Sequence, residues 1–297
     1  MPHIQANGIE IYVETYGDPA ARPLLIVRGL GSQIIHWPQM MIDRIVEHGF
    51  FVIAPDNRDA GLSQKLDNFG PIDEAELAHQ VENGLPITAP YEVTAFADDH
   101  CGVLDHFGIQ KAHIFGISMG GMIVQTLAGL RADRVLTMTS VMSSSGNPAI
   151  SLGTPEVRDL LLAQPEDPDD RDSVIAFTLQ CDRAWGSPGY PFGAAERADL
   201  IGHAYDRCWT PEGVKRQYAA VRSSGSRVTM LKSITVPTLI IHGLDDALLP
   251  PEHGRDTAAN IPGATLIEVP GMGHDLEGDL GPLMGDYVAR HVAAAGF

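Results

Sequence analysis

Lys111 to Leu130 reads KAHIFGISMGGMIVQTLAGL, and this stretch decides the fold. Ala112 to Phe115 is a short apolar run suited to a buried strand, and an apolar helix is expected from about Met119, carrying Met122, Ile123, Val124 and Leu127. Between them lies Gly116-Ile117-Ser118-Met119-Gly120, a G-x-S-x-G. A serine hydroxyl held out on so sharp a strand-to-helix turn leaves no room for side chains at the flanking positions, and glycine fits both. Gly121 permits close packing of helix on sheet. The helix start turns its unpaired N–H groups and positive dipole end toward the serine. Ser118 is therefore the candidate nucleophile. The bare motif carries little weight; the strand before it and the helix after it give it meaning.

The flanking chain alternates buried strands with helices. Ile9 to Tyr16 alternates apolar and polar and suits a half-exposed edge strand. Leu24 to Val27 and Phe50 to Ala54 are continuous apolar runs, expected of strands covered on both faces. Val93 to Phe107 has helical spacing, and residues 64 to 90 form a polar excursion that could shade the site. Val135 to Met138 is the next strand. From 145 to 226 the chain shows helix starts (Thr154-Pro155-Glu156, Thr210-Pro211-Glu212) without buried strands. Strands return at Thr238 to Ile241 and Ala264 to Val269, with helices near His253 to Ile261 and Gly281 to Ala293. The expected architecture is an α/β core, residues 1–144 and 227–297, with a mostly parallel sheet flanked by helices. A helical cap, residues 145–226, is inserted into it.

A serine hydroxyl needs a base to take its proton and an orienter to hold that base. In such sheets functional groups collect beyond the carboxyl ends of strands. Asp246 lies three residues past Gly243, in His242-Gly243-Leu244-Asp245-Asp246, and His274 follows the last strand in Pro270-Gly271-Met272-Gly273-His274. The order Ser118, Asp246, His274 is the one this type of hydrolase uses. Asp245 competes with Asp246 but is less favourably spaced from Gly243 and Pro250. His113 and His242 are expected to pack within or beside strands. The oxyanion formed during acyl transfer needs two aimed N–H groups; Met119 and Leu30, in Arg28-Gly29-Leu30-Gly31, are the candidates.

Together these motifs resemble the α/β-hydrolase-fold serine esterases, bacterial carboxylesterases and enzymes of the aclacinomycin-methylesterase type in particular. The likeness rests on Gly116 to Gly121, Asn57 to Ser63, Val236 to Gly243, Ile261 to Ala264 and Pro270 to His274. It implies a cofactor-free hydrolase with Ser118, Asp246 and His274 as triad and a helical cap over the acyl pocket. One departure stands out: such enzymes usually carry His-Gly-x-Gly where this chain has Arg28-Gly29-Leu30-Gly31. The donors are backbone groups, so the hole is expected to survive. Arg28 is expected to form a structural salt bridge, with a carboxylate such as Asp59, or else to anchor a substrate group.

Composition narrows the function. The chain has 297 residues, with 38 acidic against 20 basic, a formal charge of −18 that disfavours nucleic acid and anionic membranes as partners. No secretory leader and no spanning apolar run is visible in the sequence. Cys101, Cys181 and Cys208 are widely spaced, which argues for a reducing compartment, the cytoplasm, and against a disulfide framework or a zinc site. The expectation is a monomeric or homodimeric serine hydrolase of small, mostly neutral carboxylic esters, without metal. Gly29, Trp37, Met122, Trp185, Tyr190 and Phe192 are the candidate pocket residues. Amide, lactone or aminopeptidase action on the same triad stays open, the last through Glu196 or Asp199. So does a slow ligand receptor of the same fold.

Overall fold

The computed structural model describes residues 2–297, except for the side chain of Leu162. Among the described residues eight strands form one sheet: β1 (His3–Ala6), β2 (Ile9–Tyr16), β3 (Arg22–Val27), β4 (Phe50–Pro55), β5 (Ala112–Ile117), β6 (Val135–Val141), β7 (Thr238–Gly243) and β8 (Thr265–Val269). Their order is β1-β2-β4-β3-β5-β6-β7-β8. The first two pairings, β1 with β2 and β2 with β4, are antiparallel, and all others are parallel. Ile9–Tyr16 is thus not the edge, as its alternation suggested. His3–Ala6 covers it through a two-residue turn at Asn7-Gly8, both with positive φ, the backbone a tight hairpin requires.

The central strands β4, β5 and β7 are buried at every position, because helices cover both faces. The core helices are α1 (Gln39–Glu47), α2 (Glu74–Glu82), α3 (Val93–His106) and α4 (Met119–Leu130). Then come α5 (Pro155–Leu162), α6 (Arg171–Trp185), α7 (Ala194–Arg207) and α8 (Pro211–Ser223), all between β6 and β7. The chain finishes with α9 (Val228–Leu231), α10 (Glu252–Asn260) and α11 (Leu280–Ala294). Phe96, Leu104, Val124 and Leu127 from α3 and α4 pack one face of the sheet against Leu25, Ile114 and Ile240. Met41, Ile45, Met284 and Val288 from α1 and α11 pack the other, against Ile26, Val52 and Phe115. No described helix is long and apolar enough to cross a membrane.

Two of the inserted helices, α5 and α8, start where the Thr-Pro pairs predict, each with proline in the first turn, but neither threonine hydroxyl caps its helix. Thr210 instead donates to the carbonyl of Asp59 at 3.2 Å. That contact belongs to a buried tie between insertion and core. Arg216 on α8 holds Asp59 through Nη2 at 2.8 Å and Nε at 3.0 Å, with Tyr91 donating to the same carboxylate at 2.5 Å. Both partners are shielded, Arg216 at 1% and Asp59 at 0% side-chain exposure, and Arg216 alone of the two has a second ion-pair partner, Asp67 at 2.8 Å, so removing Arg216 strands the charge of Asp59. Arg216→Ala is expected to cost about 3–5 kcal/mol. The double variant Asp59→Asn/Arg216→Met should recover part of that loss. Thermal unfolding measures it, and a melting temperature for Arg216→Ala within a degree of wild type would show the pair carries no weight.

Candidate active site

Ser118 sits between β5 and α4 with φ 53° and ψ −122°, a left-handed backbone that costs about 1–3 kcal/mol for a residue with a side chain. Its surroundings hold it there. The Ser118 N–H donates to Val141 O at 3.0 Å, and the Ser118 carbonyl accepts from Ser143 Oγ at 2.7 Å and Gly121 N at 2.9 Å. A Cβ on Gly116 would lie 2.2 Å from Gly120 O, and one on Gly120 would lie 2.1 Å from Val27 O. Helix α4 therefore meets the end of β3 at a distance only glycine allows.

Three side chains from distant parts of the chain converge on this turn. His274 Nε2 lies 2.9 Å from Ser118 Oγ, and His274 Nδ1 lies 2.7 Å from Asp246 Oδ2. The carboxylate can only accept, so Nδ1 carries hydrogen and Nε2 is free to accept from the serine. The other oxygen of Asp246 accepts from Leu248 N at 3.0 Å and Leu249 N at 2.8 Å, which fixes the carboxylate. His274 is anchored through its own N–H, which donates to Trp185 O at 2.6 Å. Asp245 is exposed and bonds Gly271 N at 2.8 Å instead, tying the two loops together. His113 and His242 are buried within strands, and His242 donates to Leu249 O at 2.7 Å.

The Arg28–Gly31 loop passes directly over the serine: a Cβ on Gly29 would lie 3.0 Å from Ser118 Cβ. Among the described residues neither the Leu30 N–H nor the Met119 N–H donates to a protein acceptor. The loop is pinned from both sides. Asn57 Nδ2 donates to Arg28 O at 3.0 Å, and Gly31 N donates to Gln217 Oε1 at 2.9 Å. Gln217 also donates to Arg58 O at 2.6 Å, so one buried side chain of α8 joins both loops. No motif marks Gln217 or Ser143 in the sequence; their role appears only when the insertion folds onto the core.

Ser118 and His274 open on a cavity of about 830 Å³. Gly29, Leu30, Met119, Met122 and Trp185 line it, as does Val81 from the 64–90 excursion. Trp37, Tyr190 and Phe192 do not. Trp37 is buried against Phe115 beneath the Arg28 guanidinium, Tyr190 packs against the core, and Phe192 lies beside Arg197. Glu196 and Asp199 are also exposed outside the lining. The cavity acids are engaged: Asp182 and Glu277 with Arg197, and Asp275 with Ser187. Burial and Asp182 push the Cys181 thiol up to about 12, so it stays protonated. Among the described residues no cluster of three or more His, Cys, Asp or Glu could hold a metal.

A model of the α/β hydrolase fold matches residues 22–180. The chain belongs to the α/β hydrolase fold family. It is 29% identical to rhodomycin D methylesterase of Streptomyces peucetius over 315 aligned positions, covering 98% of each chain. The solved esterase RhEst1 of Rhodococcus sp. ECU1013 aligns with a TM-score of 0.77 at 17% identity, covering 100% of both chains. The enol-lactonase of Burkholderia xenovorans LB400 gives 0.74 at 20% identity, covering 98% of this chain and 100% of that one. These two likenesses show the fold; the family and the methylesterase relative support a hydrolase.

Three histidines near or behind the site are held neutral. Burial lowers His36 and His100 to about 3 and His113 to about 4, with nearby arginines adding to each. His36 Nδ1 accepts from Gln33 N at 2.9 Å, a bond that protonation at that nitrogen would break. Their folded values lie below the unfolded 6.5, so the unfolded chain binds more protons in between. The stability they contribute is whole above about pH 6.5 and is lost as pH falls toward 3 to 4. Thermal melts from pH 7 to pH 4 should show a steady fall in melting temperature, and a flat profile would refute it.

Proposed function

We propose that this α/β hydrolase cleaves carboxylic esters through an acyl-enzyme on Ser118. The reading is carried by the hydrogen-bonded run Ser118–His274–Asp246, at 2.9 and 2.7 Å, opening on a largely apolar cavity. His274 takes the proton as Ser118 Oγ attacks the ester carbonyl, and buried Asp246 stabilises the imidazolium that forms. The oxyanion is received by the N–H groups of Leu30 and Met119, whose hydrogens have no protein acceptor. His274 returns the proton to the leaving alcohol. Water enters, gives a proton to His274 and attacks the acyl carbon, and His274 then hands that proton to Ser118 Oγ as the acid leaves. The four inserted helices act as the cap: Trp185 and Cys181 line the cavity from α6, and Trp185 also holds the backbone of His274. The aminopeptidase reading has no support from Glu196 or Asp199, which lie outside the cavity.

Turnover of p-nitrophenyl butyrate tests the proposal. Ser118→Ala should lower kcat/KM by about 10⁴ or more, and Asp246→Asn by about 10⁴ while leaving the fold intact. A fluorophosphonate should add its mass at Ser118 in the wild type only. Equal, sluggish rates in wild type and Ser118→Ala would instead mark a ligand receptor of this fold.

A further inference from the structure

Arg28 stands where relatives of this kind usually carry histidine, and the sequence left it two roles. The structural one fails. Asp59 is taken by Arg216, and Arg28 makes no ion pair and no side-chain hydrogen bond to the described residues. Its Nε is shielded from solvent without an acceptor. The guanidinium instead lies over the Trp37 ring, 4.6 Å from its centroid. A ring face attracts the cation but accepts none of its in-plane N–H groups, so the donor fork stays free.

Arg28 also lines the cavity onto which Ser118 opens, one residue from the glycine that touches the serine. Among the described residues no carboxylate forms an ion pair with it, and Asp275, also in the lining, is held by the Ser187 N–H and hydroxyl. Glu277 and Asp182 are held by Arg197, at 3.0 Å and at 2.7 and 3.1 Å. His36, beside it in the lining, is held neutral. Burial and Arg197 lower Arg28 to about 9, opposed by Glu277, which leaves it charged at neutral pH. Three further cavity arginines, Arg158, Arg222 and Arg227, form no ion pair among the described residues either; Arg227 donates to Ser144 O, Gly225 O and Gln125. A half-buried guanidinium whose free donors face a cavity suits a carboxylate, which would answer it with paired, charge-assisted hydrogen bonds.

We propose that the physiological substrate is an ester that itself carries a carboxylate, and that Arg28 receives this group while Ser118 attacks the ester carbonyl. This rests on the esterase reading and replaces the neutral esters expected from the sequence. The carboxylate is untouched by the reaction; it orients the ester in the cavity.

Two ester pairs test it. Monomethyl glutarate carries the charge on the acyl side and 4-acetoxybutyrate on the alcohol side. Each is compared with its neutral methyl ester. In wild type the charged member of at least one pair should be preferred about 10-fold or more in kcat/KM. Arg28→Met, which keeps a side chain on Trp37, should lower that ratio at least about 10-fold, and Arg28→Lys should restore part of it. A merely structural role would move both members alike and leave the ratio unchanged. Neutral preference in both pairs, or an unchanged ratio in Arg28→Met, overturns the proposal while fluorophosphonate labelling of Ser118 keeps the esterase reading alive. If no ester is turned over, the esterase reading fails. The charge claim is then decided by glutarate, which should raise the melting temperature of wild type and not of Arg28→Met; equal shifts, or none, refute it.

Discussion

The close approach of Gly120 to the Val27 carbonyl is the contact on which the site depends. A methyl group there would lie 2.1 Å from the oxygen, so the start of α4 can touch the end of β3 only because position 120 has no side chain. That approach brings the start of α4 and the Arg28–Gly31 loop beside the same serine. It also forces Ser118 into its left-handed backbone, which directs the hydroxyl away from the sheet. Strain at this residue and access to its oxygen are one geometric fact.

Holding the loop in place is the work of segments far away in sequence. Asn57, in the turn after β4, fixes the Arg28 carbonyl, and His100 Nε2 lies 3.1 Å from the same amide's oxygen. Asp56 accepts from Ile34 N at 2.7 Å and Leu62 N at 2.8 Å, and Arg207 of α7 lies 2.8 Å from it. Gln217 of α8 closes the ring on Gly31. The insertion is thus part of the support for the loop below it: α8 holds Gly31, beside Leu30, through Gln217, and α7 reaches Ile34 through Arg207 and Asp56.

The parts legible in the sequence are those written in backbone requirements. Glycines at 116, 120 and 121, apolar runs for covered strands and the positions of Asp246 and His274 past strand ends all follow from local rules, and the parallel sheet follows from their alternation. The Asn7-Gly8 turn is equally local: two residues with positive φ set the hairpin that pairs β1 with β2. What the sequence could not give is which way a side chain on a loop points. Trp37, Tyr190 and Phe192 have pocket-like chemistry, yet each packs inward or against an arginine. The pairing of Asp59 was misassigned for the same reason: its partner lies 157 residues away on a helix whose direction no local pattern fixes.

The buried charges explain why an acidic chain ends with a basic cavity. Asp56, Asp59 and Asp99 are buried beneath or beside the loops that frame the site, and each has an arginine partner: Arg207, Arg216 and Arg58. Asp182 and Glu277 share Arg197. Of the acids that line the cavity, Asp182 and Glu277 are matched by Arg197 and Asp275 is held by Ser187, and none of the three forms an ion pair with Arg28. The excess of acidic residues that sets the net charge lies largely outside this framework, in exposed positions such as Glu74, Glu76, Asp159, Asp169 and Glu196. Water screens those charges. The half-buried arginine does not feel them to the same degree, and a ligand inside the cavity meets the local charge, not the global one. Net charge describes how the molecule meets its solvent, and the cavity's arginines describe what it can hold.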